Sequence, residues 1–70
     1  MANIMLRQNE SGELIFYLPK KDLEETVVAI EFDQPNRWGG RLELGDGQNY
    51  FVEPLPGPPD LPVSLRAQRL

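Results

Sequence analysis

Histidine and cysteine, the two residue types that supply most nucleophile-base pairs and soft-metal ligands, are absent from all 70 residues. Chemistry is therefore left to hydroxyls, carboxylates and cations. Ser11, Thr26 and Ser64 sit in no activating motif, and without imidazole or thiolate a Ser-His or Cys-His pair cannot be built, which excludes acyl transfer of those types. Glu24, Glu25, Glu43 and Glu53 are acids of the kind that serve in general acid-base work, yet nothing in the sequence places two of them in an apolar cleft. Charges alternating along strands ordinarily face water. Zinc, iron-sulfur and most copper or nickel sites need thiolate or imidazole. Asp33, Asp46 and Asp60 lie in turns, where Asp serves the backbone, and show no calcium-loop spacing. No catalytic residue, metal ligand or cofactor site is assigned. Gly39-Gly40 precedes neither a Gly-x-Gly-x-x-Gly nor a Walker pattern, so the pair reads as a sharp bend, or as room for Trp38 or another strand to come close.

Recognition is the chemistry that remains. Trp38 stands between Arg37 and Arg41, and Trp and Arg are the types most enriched in binding hot spots. A chain this short needs the area of its only Trp, so the favoured reading has Trp38 capping the core, with Arg37 or Arg41 over its ring. The run Lys20-Lys21-Asp22-Leu23-Glu24-Glu25 is bipolar. As a solvated turn it would form Lys20-Glu24 and Lys21-Glu25 pairs worth a few tenths of a kcal/mol each; as a recognition loop it would show both signs of charge to a partner. The expected partner-contact residues are thus Lys20, Lys21, Glu24, Glu25, Arg37, Trp38 and Arg41.

Seven basic and eleven acidic side chains give a net charge of −4, which opposes attraction to nucleic acid or anionic lipid. The N-terminal run lacks a basic region and a cleavage site, and no stretch approaches the ~20 apolar residues that span a bilayer. A cytoplasmic, soluble protein with no membrane partner is expected.

These residues need a scaffold, and 70 residues make one domain that buries only roughly 60% of its unfolded surface. With neither disulfide nor structural zinc available, the core must suffice or a homo-oligomer must help. Asn3 to Gln8 and Glu13 to Leu18 flank Asn9-Glu10-Ser11-Gly12 and read as a β-hairpin, with Ile4, Leu6, Leu14, Phe16 and Leu18 inward. Pro19 to Glu25 breaks the pattern as a connection with about one helical turn. Thr26 to Phe32 is the most strand-like segment, placing Val28, Ile30 and Phe32 on one face. Arg41 to Leu44 leads into Gly45-Asp46-Gly47. A two-residue Asp-Gly loop pairs Leu42 with Phe51, whereas a three-residue loop pairs Leu42 with Tyr50 and Val52 with Gly40; the register is open at this stage, because one step exchanges the faces. Pro54 to Pro62 holds five prolines and reads as a stiff connector, of a type that a groove in another protein also recognises. Val63 to Leu70 alternates as a sixth strand. The fold class is all-β, a small single domain of about six short, mostly antiparallel strands curled into a barrel-like sheet.

Pro19-Lys20-Lys21-Asp22-Leu23-Glu24-Glu25, Trp38-Gly39-Gly40, the Leu-Glu-Leu strand with its Gly turn, and the final strand from Leu61-Pro62-Val63 to Arg69-Leu70 occur in this order. Together they resemble the NifT/FixU family over nearly the whole chain. The resemblance implies a small barrel-like β protein encoded among nitrogen-fixation genes, with a role in nitrogenase maturation or metal-cluster assembly, and no catalytic residues to transfer. Lacking thiolate and imidazole, the chain cannot hold an iron-sulfur precursor in the usual way. The leading expectation is a non-enzymatic accessory module that contacts a nitrogenase component or assembly factor. Two rivals are a single-strand-binding barrel using Arg37, Trp38, Arg41 and Tyr50, and a carboxylate-based small-ligand binder with two acids facing across a deep pocket.

Overall fold

The computed structural model describes residues 2–70. Six strands, β1 (Ala2–Gln8), β2 (Leu14–Leu18), β3 (Leu23–Gln34), β4 (Arg37–Leu44), β5 (Asn49–Leu55) and β6 (Val63–Arg69), are each paired antiparallel to the next. β6 returns to pair with β1 from Ala2↔Ala67 to Leu6↔Val63, and the sheet closes into a barrel. Closure removes the two edges that a flat sheet of this size would expose.

Inward positions follow the two-residue period in most strands. Ile4, Leu6, Phe16, Leu18, Leu42, Leu44, Tyr50, Val52 and Ala67 fill the interior with Trp38, and among the described residues no charged side chain is buried. Phe16 and Tyr50 meet at its centre with their ring centroids 4.7 Å apart.

The β1–β2 turn is organised by Asn9, whose Oδ1 accepts the backbone N–H groups of Ser11 and Glu13 at 3.0 and 2.8 Å. Pro19–Lys21 forms a single 3₁₀ turn, ended by Asp22 in the left-handed conformation at φ 50°. In the β4–β5 hairpin Leu44 N–H donates to Gln48 O and Gly47 N–H to Leu44 O, with Gly47 at φ 93°. This is the three-residue loop whose last position must be left-handed. It sets Leu42 against Tyr50 and Gly40 against Val52, so Tyr50 and Val52 point inward and Phe51 outward.

β3 departs from simple alternation. Its register against β4 shifts between Val27 and Ala29 and again between Ile30 and Phe32. Each shift turns the following residues over. Val28, expected to share a face with Ile30, is therefore 58% exposed, while Val27 and Ile30 pack on the core. The strand also begins earlier than Thr26, at Leu23. β5 in turn extends through Pro54 to Leu55, past the expected start of the connector. Pro54 fits there because the β4–β5 register shifts between Trp38 and Gly40, where the ladder leaves β5 an unpaired residue and the missing N–H costs no bond.

Candidate partner-contact surface

The residues expected to form one contact surface are distributed over the 3₁₀ turn, β3 and β4. Lys20 and Lys21 lie exposed on the 3₁₀ turn before β3, whereas Arg37 opens β4 opposite Gln34, at the far end of β3. The chain does not bring these groups together. The Lys20-Glu24 and Lys21-Glu25 pairs are absent because β3 begins at Leu23, and an extended strand never juxtaposes residues four apart. Among the described residues, the one ion pair joins Glu24 to Arg7 of β1 at 2.7 Å. Glu25 is half-buried, opposite Phe16.

Trp38 is 5% exposed and belongs to the interior cluster. Its ring is core, so the surface around it consists of its arginine neighbours. Arg37 stacks over Phe32, with Cζ 4.0 Å from the ring centroid; the expected partner ring was that of Trp38. The cause is register. Trp38 pairs with Asp33 and turns inward, leaving half-buried Phe32 as the ring that Arg37 can reach.

Gly39 and Gly40 make this corner possible. Both have positive φ, 117° and 79°, a region costly for residues with a Cβ. A Cβ on Gly40 would stand 2.7 Å from Glu31 Oε1 and 2.9 Å from Phe32 Cδ2. The bend and the close approach of β3, two readings of this pair from the sequence, are both present.

The close approach has a second effect. Glu31 Oε1 accepts the backbone N–H of Arg41 at 3.1 Å, replacing a main-chain acceptor displaced by the bulge. Arg41 Nε donates to Asn49 Oδ1 at 3.2 Å. Thus Arg41 is exposed, with its backbone N–H bonded to Glu31 and its Nε to Asn49. Ala29, Ile30, Glu31, Arg41 and Glu43 line a shallow depression of about 400 Å³ on this outer face. It presents one cation between two carboxylates. Glu31 and Asn49, which position Arg41, were not singled out from the sequence. No linear pattern marks them, because the first acts through a bulge and the second across a hairpin.

The same geometry bears on the alternatives. Trp38 and Tyr50 are 5% and 2% exposed, so neither ring is offered to a stacking base. Among the described residues the interior holds no carboxylate, and the two that line the depression lie on an open surface. Among the described residues, no cluster of three or more Asp or Glu could hold a metal ion. No helix among the described residues is long and apolar enough to cross a membrane.

A family profile described as NifT/FixU protein matches residues 1–67. The chain is 52% identical over 69 residues to Protein NifT of Azotobacter vinelandii, covering 99% of this chain and 94% of that one. It is 42% identical over 66 residues to Protein NifT of Klebsiella pneumoniae, covering 94% and 92%. Identity to the Protein FixU homolog of Sinorhizobium fredii is 36% over 67 residues, with coverage of 96% and 84%.

Proposed function

The chain belongs to the NifT/FixU family, associated with nitrogen fixation, and on that premise we propose that it is a non-enzymatic cytoplasmic accessory protein that assists nitrogenase maturation or metal-cluster assembly through protein contacts. Its partner is a nitrogenase component or an assembly factor. The observation that carries this reading is Arg41, an exposed arginine whose backbone N–H donates to Glu31 and whose Nε donates to Asn49. The Asn49 bond restricts the side chain and so lowers part of the ordering cost of association, and Arg anchors are frequent in hot spots. Arg37 on the same strand extends the surface. Lys20, Lys21 and Glu24 are exposed near the start of β3, apart from Arg41, while Glu25 is half-buried.

The composition supports the non-enzymatic part. Without imidazole or thiolate the commonest nucleophile-base pairs cannot form, and among the described residues no carboxylate is buried in the apolar interior. The test is a pull-down from nitrogen-fixing cells with the intact protein as bait, run beside Arg41→Ala. Recovery of a nitrogenase component or assembly factor, reduced at least tenfold by the substitution, is expected. Recovery of neither class, with bait shown to be folded, overturns the proposal.

A further inference from the structure

We propose, resting on the accessory reading, that the far flank of β3 from Ala29 to Asp33 takes up an extended basic segment of the partner protein as an added β-strand. β3 has twelve residues and β2 five. β2 pairs with β3 from Leu18↔Leu23 to Ile15↔Thr26 and no further, whereas β4 follows β3 to its end at Gln34↔Arg37. β2 reaches no further because the chain before it has already turned: Asn9 N–H donates to Glu13 O, and Gln8 is back on β1 opposite Leu14. Continued in step, the β2–β3 register would set Glu31 against Glu10, which lies in that turn.

Pro35 and Asn36 form a two-residue turn, so Gln34 and Arg37 exchange main-chain bonds across it, and by alternation Phe32 does the same with Gly39. Asp33, between them, turns its N–H and C=O to the other flank. Between Ile30↔Leu42 and Phe32↔Gly39 the extra residue is on β4, so β3 keeps its alternation and Glu31 faces the same way as Asp33. Among the described residues β3 pairs with β2 and β4 alone, and no turn, loop or side chain bonds to the main chain of Glu31 or Asp33. The bond at Glu31 is made by its carboxylate, to the N–H of Arg41.

This flank is acidic. Glu31 and Asp33 are exposed on β3 with Ala29, and Glu43 stands opposite Ala29 on β4. The nearby cations are engaged elsewhere: Arg37 lies over Phe32, and Arg41 Nε bonds to Asn49. A strand laid alongside satisfies the main chain of Glu31 and Asp33 and places alternate side chains beside their carboxylates, where Lys or Arg matches. Small or apolar residues fit between, next to half-buried Ile30 and Phe32. A second copy of this chain is a poor occupant, because two such flanks paired antiparallel set carboxylate against carboxylate.

Selection of short displayed peptides on the intact protein, read by amide hydrogen exchange, tests the proposal without any nitrogenase partner. In the free protein the Glu31 and Asp33 amides exchange at least tenfold faster than that of Phe32. An enriched peptide carries Lys or Arg at alternate positions and slows exchange at Glu31 and Asp33 at least tenfold. Proline at every second position of that peptide abolishes binding in one phase and is tolerated in the other. Asp33→Lys, an exposed change that leaves Phe32 protected, weakens the peptide at least fivefold. Equal protection of Glu31, Asp33 and Phe32 in the free protein overturns the proposal. So do failure to enrich any peptide, binding that maps elsewhere, and protection that rises with protein concentration as a second copy would produce. The pull-down separates the two readings. Recovery lost with Arg41→Ala but unchanged with Asp33→Lys removes the β3 flank and leaves the accessory role, whereas peptide capture on the flank with no nitrogenase protein recovered does the reverse.

Discussion

The β3–β4 seam is long and irregular, whereas the β5–β6 seam is short and regular. Along β3–β4 the register shifts twice, yet six residue pairs span the strands from Val27↔Leu44 to Gln34↔Arg37. The glycines of β4 let β3 approach, and Glu31 supplies the acceptor for the N–H of Arg41. Along β5–β6 three pairs form and then stop. No side chain among the described residues donates to or accepts from the main chain of Ser64 or Arg66 there, and a proline-rich connector occupies the place of a turn. Along β3–β4 the ladder continues past its irregularities, with Glu31 supplying an acceptor, whereas along β5–β6 it ends after Val52↔Ala67.

The largest break in this contrast comes from Trp38, which packs where β4 meets both β3 and β5. Trp38→Ala is expected to cost about 3–5 kcal/mol, the range for a buried aromatic. In a chain of this size that is most of the total stability. Urea unfolding reads the loss, and a cost below ~1 kcal/mol would mean that the closed seam does not depend on the indole.

Gly40→Ala comes next, at about 2–3 kcal/mol, combining positive φ with a clash against Phe32. Gly47 is the control: its φ is 93° but nothing lies within 4 Å of an added Cβ, so Gly47→Ala should cost only about 1 kcal/mol from conformation alone. Equal losses for the two would show that close approach at Gly40 is unimportant. Glu31→Ala removes the substitute acceptor on an exposed surface and should cost about 1 kcal/mol. Faster exchange of the Arg41 amide is its specific signature, and unchanged exchange would dissociate Glu31 from seam closure.

The smallest effect belongs to the β4–β5 turn. Asp46 is held below its ordinary value of 3.8, first by the backbone N–H of Gln48 and then by that residue's side chain. A folded-state pKa below the unfolded one means that the contribution is present above about 3.8 and is lost as pH falls through the folded value. Carboxyl titration by NMR should place the Asp46 midpoint below 3.8; a midpoint at or above it would remove the turn from the pH response.

Much of this architecture was legible because apolar alternation and turn chemistry are local. Six strands, the Asn9 turn and the inward set Ile4, Leu6, Phe16 and Leu18 follow from spacing alone. Gly45-Asp46-Gly47 narrowed the hairpin to two registers, and the left-handed Gly47 selects between them. Bulges are different, since an extra residue in a strand leaves no periodic trace. That is why Val28 turns outward, Arg37 finds Phe32 in place of Trp38, and Glu31 accepts the backbone N–H of Arg41. The separation of Lys20 and Lys21 from Arg37 was hidden for a related reason. It depends on how far β3 extends beyond its apolar segment, and Leu23-Glu24-Glu25 is drawn into the strand by pairing with Leu18, Tyr17 and Phe16.

The pairing of Ala2 with Ala67 joins positions separated by nearly the whole chain, and it governs the time course of folding. The β1–β2, β2–β3, β3–β4 and β4–β5 contacts can form between neighbouring strands at small entropic cost, but the ring is completed only when the first and sixth strands meet across the longest loop available. Proteins dominated by such distant pairings fold in milliseconds to seconds, slower than helical domains of equal size. Until that last encounter, β1 carries an unpaired flank, so the interval before closure is when this small barrel is most exposed to pairing with the wrong chain.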